Sequence, residues 1–184
     1  MDINKEDTAV ETKEKVNREV KEIRGAGAQA GDEERQHVTF MIGSETYGVE
    51  VLQVQEIIGM TGITHVPNTR DFMKGVINLR GMVVPVIDMR IKFTMPEKEY
   101  DSFTVIIIVE VSGRMVGMIV DSVSDVISIP VKGIQDTPHF SSRIETDFIK
   151  GIGQVEENLV IILDINKILT DEEIHEIDER KAAV

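Results

Sequence analysis

The stretch KGVINLRGMVVPVID, residues 74–88, has the pattern of two short β-strands joined by a turn. β-Branched and other apolar residues dominate both halves, and Arg80-Gly81 lies between them, where a tight hairpin needs residues that tolerate a positive φ. A shift of 76 residues places KGIGQVEENLVIILD, residues 150–164, on this stretch without a gap. The sequence therefore predicts that one small β-unit occurs twice.

A second match, at a shift of 69 residues, extends the repeat. It places residues 47–51 on residues 116–120, Val54 on Val123 and Glu56 on Asp125. Further turns are predicted at Gly43-Ser44 and Ser112-Gly113, and the remaining apolar runs are short. Each copy then has about five strands, which predicts a mainly β fold of two small barrels whose apolar faces share one core.

The two ends of the chain have a different composition. Residues 1–36 carry dense charge, few large apolar residues and a small-residue stretch at 25–31, which predicts a flexible tail, at most transiently helical at 13–23. The repeat-bearing domain is predicted to span residues 37–169. Apolar residues near helical spacing from Ile165 predict a terminal helix reaching about residue 180, and residues 170–184 are assigned to this C-terminal helix and tail.

Composition restricts the class of function. The 184 residues include 20 basic and 33 acidic side chains, and the net charge of -13 disfavours nucleic acid and anionic membrane surfaces as partners. The absence of cysteine excludes disulfides and thiolate sites. The four histidines, His37, His65, His139 and His175, lack the spacing of a metal site, and no phosphate loop or dinucleotide motif occurs, so no metal or cofactor is expected.

Several of these motifs together resemble the CheW family of chemotaxis adaptors. The resemblance covers most of the chain, from about residue 38 to residue 169. It rests on YGVEV at 47–51, VQEI at 54–57, GVINLRG at 75–81, VVPVID at 83–88, VG at 116–117 and VDSVSDV at 120–126.

The resemblance implies two intertwined five-stranded SH3-like barrels with short helices and no catalysis. It also implies a scaffolding role between chemoreceptor cytoplasmic tips and the regulatory domain of the histidine kinase CheA. Such a protein would be cytoplasmic and recruited to membrane-associated receptor arrays, without entering the membrane itself. Whether the output is chemotaxis or another chemosensory response stays open.

Four positions match receptor-associated motifs of the family: Val54, Glu56, Gly75 and Arg80. The resemblance implies that they lie on one receptor-binding surface, in a groove near the junction of the two barrels. The residues alone leave other interpretations open. Arg80 suits a solvated turn, Glu56 suits an internal ion pair with Arg80, and Gly75 suits the start of a strand.

A competing hypothesis uses the equivalent positions of Asp88 and Asp164 in the repeat. Two lobes that each supply one carboxylate would suit a hydrolase with a shared proton. However, Met89 and Ile165 follow these aspartates, instead of the Thr/Ser-Gly typical of such sites. Each aspartate ends an apolar strand ahead of a short helical pattern, so helix N-capping is the favoured interpretation.

Overall fold

The computed structural model describes residues 3–27, 33–137 and 147–182; the interpretation of His139 lies outside them. Three α-helices and eleven strands alternate along these residues, with 3-10 helices at Val51–Gln53, Val131–Gly133 and Ile165–Lys167. In chain order the elements are α1 Ile3–Gly25, β1 Glu34–Ile42, β2 Glu45–Glu50, β3 Val54–Gly59, β4 Met73–Leu79, β5 Met82–Asp88, α2 Met89–Lys92, β6 Val105–Val111, β7 Arg114–Val120, β8 Ser122–Pro130, β9 Ile134–Gln135, β10 Ile149–Val155, β11 Asn158–Leu163 and α3 Asp171–Ala182.

The strands form two sheets, which confirms the mainly β fold with two SH3-like barrels. Barrel 1 has the order β8-β1-β2-β11-β10-β9, and barrel 2 has the order β3-β6-β7-β5-β4. The predicted hairpins β1–β2, β4–β5 and β6–β7 all pair antiparallel. Strand β3 pairs antiparallel with β6, with a register shift between Val54 and Glu56.

Neither repeat forms a barrel by itself. The first copy supplies β1 and β2 to barrel 1 but β3, β4 and β5 to barrel 2, and the second copy divides in the same way. Two parallel pairings join the copies: β11 pairs with β2 in barrel 1, and β5 pairs with β7 in barrel 2. The barrels are therefore intertwined, as the family resemblance implied, and they are not two units that follow each other along the chain.

The core has one cluster inside each barrel and a larger cluster between them. Ile106 and Ile108 of β6 point into barrel 2, whereas Ile107 and Val109 of the same strand join the shared cluster. Alternate residues of one strand thus serve two cores. The repeat and the apolar alternation predict nine core residues, of which Ile161 is partly buried. The other eight are buried: Val49, Val51, Ile77, Val84, Val86, Met118, Val120 and Leu163.

The amino-terminal segment differs from the predicted flexible tail. Residues 3–25 form helix α1, and Val16 and Val20 on one of its faces are buried in the shared cluster. The low mean hydropathy of this segment suggested that it could not bury enough apolar surface. That argument overlooked two residues spaced i, i+4, which are enough to dock a helix on a core that already exists.

The carboxy-terminal helix begins later than predicted. Residues Ile165–Lys167 form a 3-10 turn, and α3 starts only at Asp171. Thr170 and Glu173 form a capping box at this start: the Glu173 N–H donates to the Thr170 hydroxyl at 3.2 Å, and the Thr170 N–H donates to the Glu173 carboxylate at 2.9 Å. No helix in the described part of the chain is long and apolar enough to cross a membrane.

Candidate functional site

Arg80 lies in the tight turn between β4 and β5. Arg80 and Gly81 have φ values of 50° and 85°, the positive pair that a two-residue hairpin requires. The side-chain oxygen of Asn78 accepts a hydrogen bond from the Gly81 N–H at 2.8 Å and fixes the turn. As a result, Arg80 projects from barrel 2 with 71% of its side chain exposed.

The guanidinium of Arg80 contacts the carboxylate of Glu56, which extends from the edge strand β3. The Glu56 side chain is only 18% exposed, so it stays largely within the surface while Arg80 stands out from it. This is the internal pairing that the sequence left open. Only one guanidinium nitrogen of Arg80 contacts Glu56, and a guanidinium has five N–H donors. The ion pair therefore orients Arg80 and leaves donors that can bind carboxylates or carbonyls of a partner.

Gly75 has a structural role within barrel 2. Its φ is +143°, and a Cβ built on it would lie 2.1 Å from the carbonyl oxygen of Thr64. Thr64 and Val76 exchange two backbone hydrogen bonds of 2.9 Å at this point, which brings the two chain segments together. The equivalent Gly151 has a similar contact, with the carbonyl oxygen of Gln135 2.6 Å from its built Cβ.

Val54 does not provide exposed apolar surface. Its side chain is fully buried in the shared cluster, and its carbonyl oxygen accepts a hydrogen bond of 2.7 Å from Arg24 of α1. The structure therefore places Glu56 and Arg80 together, with Gly75 in the strand β4 that leads to Arg80 and Val54 beneath the surface. Met82 lies two residues after Arg80 and is 49% exposed.

Asp88 and Asp164 both act as helix N-caps, which confirms the favoured interpretation. The Asp88 carboxylate accepts hydrogen bonds from the backbone N–H groups of Arg90 and Ile91, and that of Asp164 accepts one from Asn166. The second oxygen of Asp88 accepts the hydroxyl of Tyr100 at 2.7 Å. Burial and this carboxylate raise the pKa of Tyr100, so the phenol stays protonated and donates.

A cavity of about 440 Å³ lies between α3, the 66–73 loop and the β4–β5 hairpin. Phe72, Val76 and Ile177 are among its apolar lining residues, and Arg70 and Arg180 are among its charged ones. Arg70 donates to Glu176 on α3 at 2.9 and 3.0 Å, so this cation is engaged in fastening the helix. Within the described residues, no group of three or more histidine or acidic side chains is arranged to hold a metal ion.

The sequence model of the CheW-like domain matches residues 36–173. The chain belongs to the CheW-like domain family. It is 42% identical over 153 residues to the chemotaxis protein CheW of Klebsiella aerogenes, a match covering 83% of this chain and 90% of that protein. It is 36% identical over 135 residues to CheW of Bacillus subtilis, covering 73% and 86% respectively.

The solved structures include a similar fold. The crystal structure of the scaffolding protein TtCheW from Thermoanaerobacter tengcongensis matches with a TM-score of 0.70 and 33% sequence identity. The match covers 76% of this chain and 94% of that chain. Relatives of the CheW-like family are thus named as chemotaxis and scaffolding proteins, and this chain has a non-enzymatic adaptor role in chemotaxis. Helix α1 lies outside the residues that match the family.

Proposed function

We propose that this CheW-like protein couples chemoreceptor cytoplasmic tips to the regulatory domain of the histidine kinase CheA. In this proposal Arg80, held by Glu56, makes the central receptor contact, while Gly75 and Val54 shape the strands that carry the pair. The kinase binds elsewhere on the barrels. The protein acts in the cytoplasm at receptor arrays, and its net charge of -13 disfavours direct attachment to an anionic membrane.

The exposed guanidinium of Arg80 is the observation that supports this proposal most directly. Arg80 is 71% exposed at the tip of a turn whose backbone is fixed by the Asn78 hydrogen bond, so its guanidinium is accessible to a partner in a defined position. The resemblance to the family associates this position with receptor binding. A receptor tip is a helical hairpin, and the guanidinium suits the carboxylates and carbonyls that such a helix presents.

The substitution Arg80→Ala tests this role, with Arg35→Ala as the matched control. Arg35 pairs with Glu50 in barrel 1 at 3.1 Å, and the exposures of that pair, 53% and 17%, resemble those of Arg80 and Glu56. Truncating one partner of a hydrogen-bonded charge pair that is buried in an interface typically costs about 2–5 kcal/mol, and Arg80 is proposed to form such a pair with the receptor. Pull-down and calorimetry with a receptor-tip fragment should therefore show binding weakened at least tenfold by Arg80→Ala and unchanged by Arg35→Ala.

Two further measurements separate binding from folding. Thermal unfolding and affinity for the CheA regulatory domain should both stay close to those of the unsubstituted protein, because an exposed ion pair contributes only about 0–1 kcal/mol to stability. Unfolding of the Arg80→Ala protein would mean that the pair with Glu56 is structural. Normal binding to both partners would remove the proposed receptor site.

A further inference from the structure

Helix α1 occupies the junction between the two barrels. It packs against β3 of barrel 2, the 3-10 turn Val51–Gln53 and β8 of barrel 1. Strands β3 and β8 are equivalent in the repeat, so α1 lies between matching strands of the two barrels. Its buried residues Val16 and Val20 join the cluster that the barrels share.

Polar side chains of α1 hold the backbone of β3. The side-chain amide of Asn17 donates to the carbonyl of Ile57 at 2.6 Å and accepts from the N–H of the same residue at 2.7 Å. Arg24 donates to the carbonyls of Leu52 and Val54 at 3.0 and 2.7 Å. On the other side, Lys15 meets Asp125 of β8 at 3.2 Å. The groove thus binds a helix by a narrow apolar face and by side chains that complete a strand edge.

The remainder of α1 is weakly suited to a permanent core element. Its other side chains are mostly charged and exposed, and the Lys15–Asp125 pair is about half exposed at both ends. The helix lies outside the family match and ends at Gly25, and Gly27 follows with a φ of 58°. The stability of a helix in a protein comes mostly from packing of its apolar face, and α1 buries only Val16 and Val20 completely, so it suits an occupant that can leave its groove.

We propose that α1 is a resident occupant of a helix-binding groove and competes there with a helix of the chemoreceptor tip. The inference rests on the proposed receptor-coupling function. Asn17 and Arg24 bind the backbone of Ile57 and Val54, on either side of Glu56 in β3. A receptor helix that reaches this strand along the barrel junction must take the place of α1. The apparent receptor affinity then depends on the fraction of molecules whose groove is open.

The first test uses full-length protein carrying Asn17→Ala, with Arg18→Ala as the control on the exposed side of the same helix. Asn17→Ala removes both hydrogen bonds to Ile57, so it should raise the open fraction. Affinity for a receptor-tip fragment, measured by calorimetry, should increase about tenfold for Asn17→Ala. It should stay unchanged for Arg18→Ala. Weaker or equal binding by Asn17→Ala would overturn the competition.

The second test reports docking directly. A carbodiimide links an amine to a carboxylate without a spacer, and it should join Lys15 to Asp125 across 3.2 Å. It should also join Lys150 to Glu50 across 2.7 Å within barrel 1, which serves as the internal control. Mass spectrometry of the peptides should show that saturating receptor fragment lowers the first product at least fivefold and leaves the second unchanged.

The outcomes separate this inference from the proposed function. Receptor binding with an unchanged Lys15–Asp125 product means that α1 stays docked; the competition is then wrong and receptor coupling stands. If neither the unsubstituted protein nor Asn17→Ala binds the receptor fragment, both the competition and the receptor-coupling function are wrong. Loss of the Lys15–Asp125 cross-link on receptor binding, together with tighter receptor binding by Asn17→Ala, supports both the competition and the receptor-coupling function.

Discussion

Substitution of Gly75 by alanine should destabilise the fold, although Gly75 is a position that the family resemblance associates with receptor binding. A Cβ there would lie 2.1 Å from the carbonyl oxygen of Thr64, and backbone atoms cannot rotate away as a side chain can. Relief of this clash requires separation of Thr64 from Val76, which breaks two hydrogen bonds of about 1 kcal/mol each. The φ of +143° adds strain of about 1–3 kcal/mol for a residue with a side chain.

Together these effects predict that Gly75→Ala lowers the free energy of unfolding by roughly 3–5 kcal/mol, or the Tm by about 6–20 °C. Gly62→Ala is the matched control, because no heavy atom lies within 4 Å of the Cβ built on Gly62. Urea titration followed by circular dichroism measures both variants. A loss below about 0.5 kcal/mol for Gly75→Ala, with receptor binding reduced, would refute this reasoning and assign Gly75 a role in recognition.

Two further predictions concern partly buried charge and pH. Arg90 donates two parallel hydrogen bonds to Asp121, of 2.8 and 2.6 Å. The substitution Arg90→Lys keeps the charge but loses the two-pronged geometry, so a urea titration should show a free energy of unfolding lower by about 1–3 kcal/mol. An unchanged free energy of unfolding would show that the charge alone is sufficient. Burial lowers the pKa of His37, so the unfolded state takes up this proton more readily than the folded state as pH falls below about 6.5. Stability should therefore fall by up to about 1.4 kcal/mol per pH unit between pH 6.5 and 5, and His37→Gln should lessen that slope. An identical slope in the variant would contradict this assignment.

The hairpins and much of the core could be predicted from the sequence because they depend on local patterns. Arg80-Gly81 and Ser112-Gly113 each stand between apolar runs, and all four residues adopt the positive φ that such turns need. Burial of β-branched residues follows from the alternation within each strand. These features require no knowledge of which distant strand lies alongside.

The exchange of strands between the barrels could not be derived from the repeat alone. Two copies with the same pattern offer each strand two equivalent partners, one in its own copy and one in the other. The parallel pairing of Val86 with Gly117 joins different copies, and its equivalent in barrel 1 joins Ile162 with Gly48. The choice depends on the shared core, which forms only when both barrels are assembled.

Burial of Val54 and docking of α1 were missed for a related reason. A valine in a strand next to charged residues has the same local pattern whether it faces a groove or a core. Here α1 and the shared cluster close over Val54, so its side chain is fully buried. The spacing of Val16, Val20 and Ile23 is helical, but two or three apolar residues cannot reveal by themselves which surface receives them.

The functional asymmetry that we propose for the two barrels depends on single side chains on equivalent turns. Arg80 and Glu156 occupy matching positions of the repeat and have φ values of 50° and 55°, so the backbone presents both residues in the same way. Their charges are opposite. Glu56 and Asp125 are a second pair of equivalent positions. Glu56 forms an ion pair with Arg80, whereas Asp125 forms one with Lys15 of α1. Duplication thus supplied two similar barrels, but only barrel 2 presents a guanidinium at this turn. A receptor contact that needs the guanidinium fork will therefore distinguish two surfaces that the backbone makes nearly alike, and exchange of Arg80 and Glu156 should not preserve it.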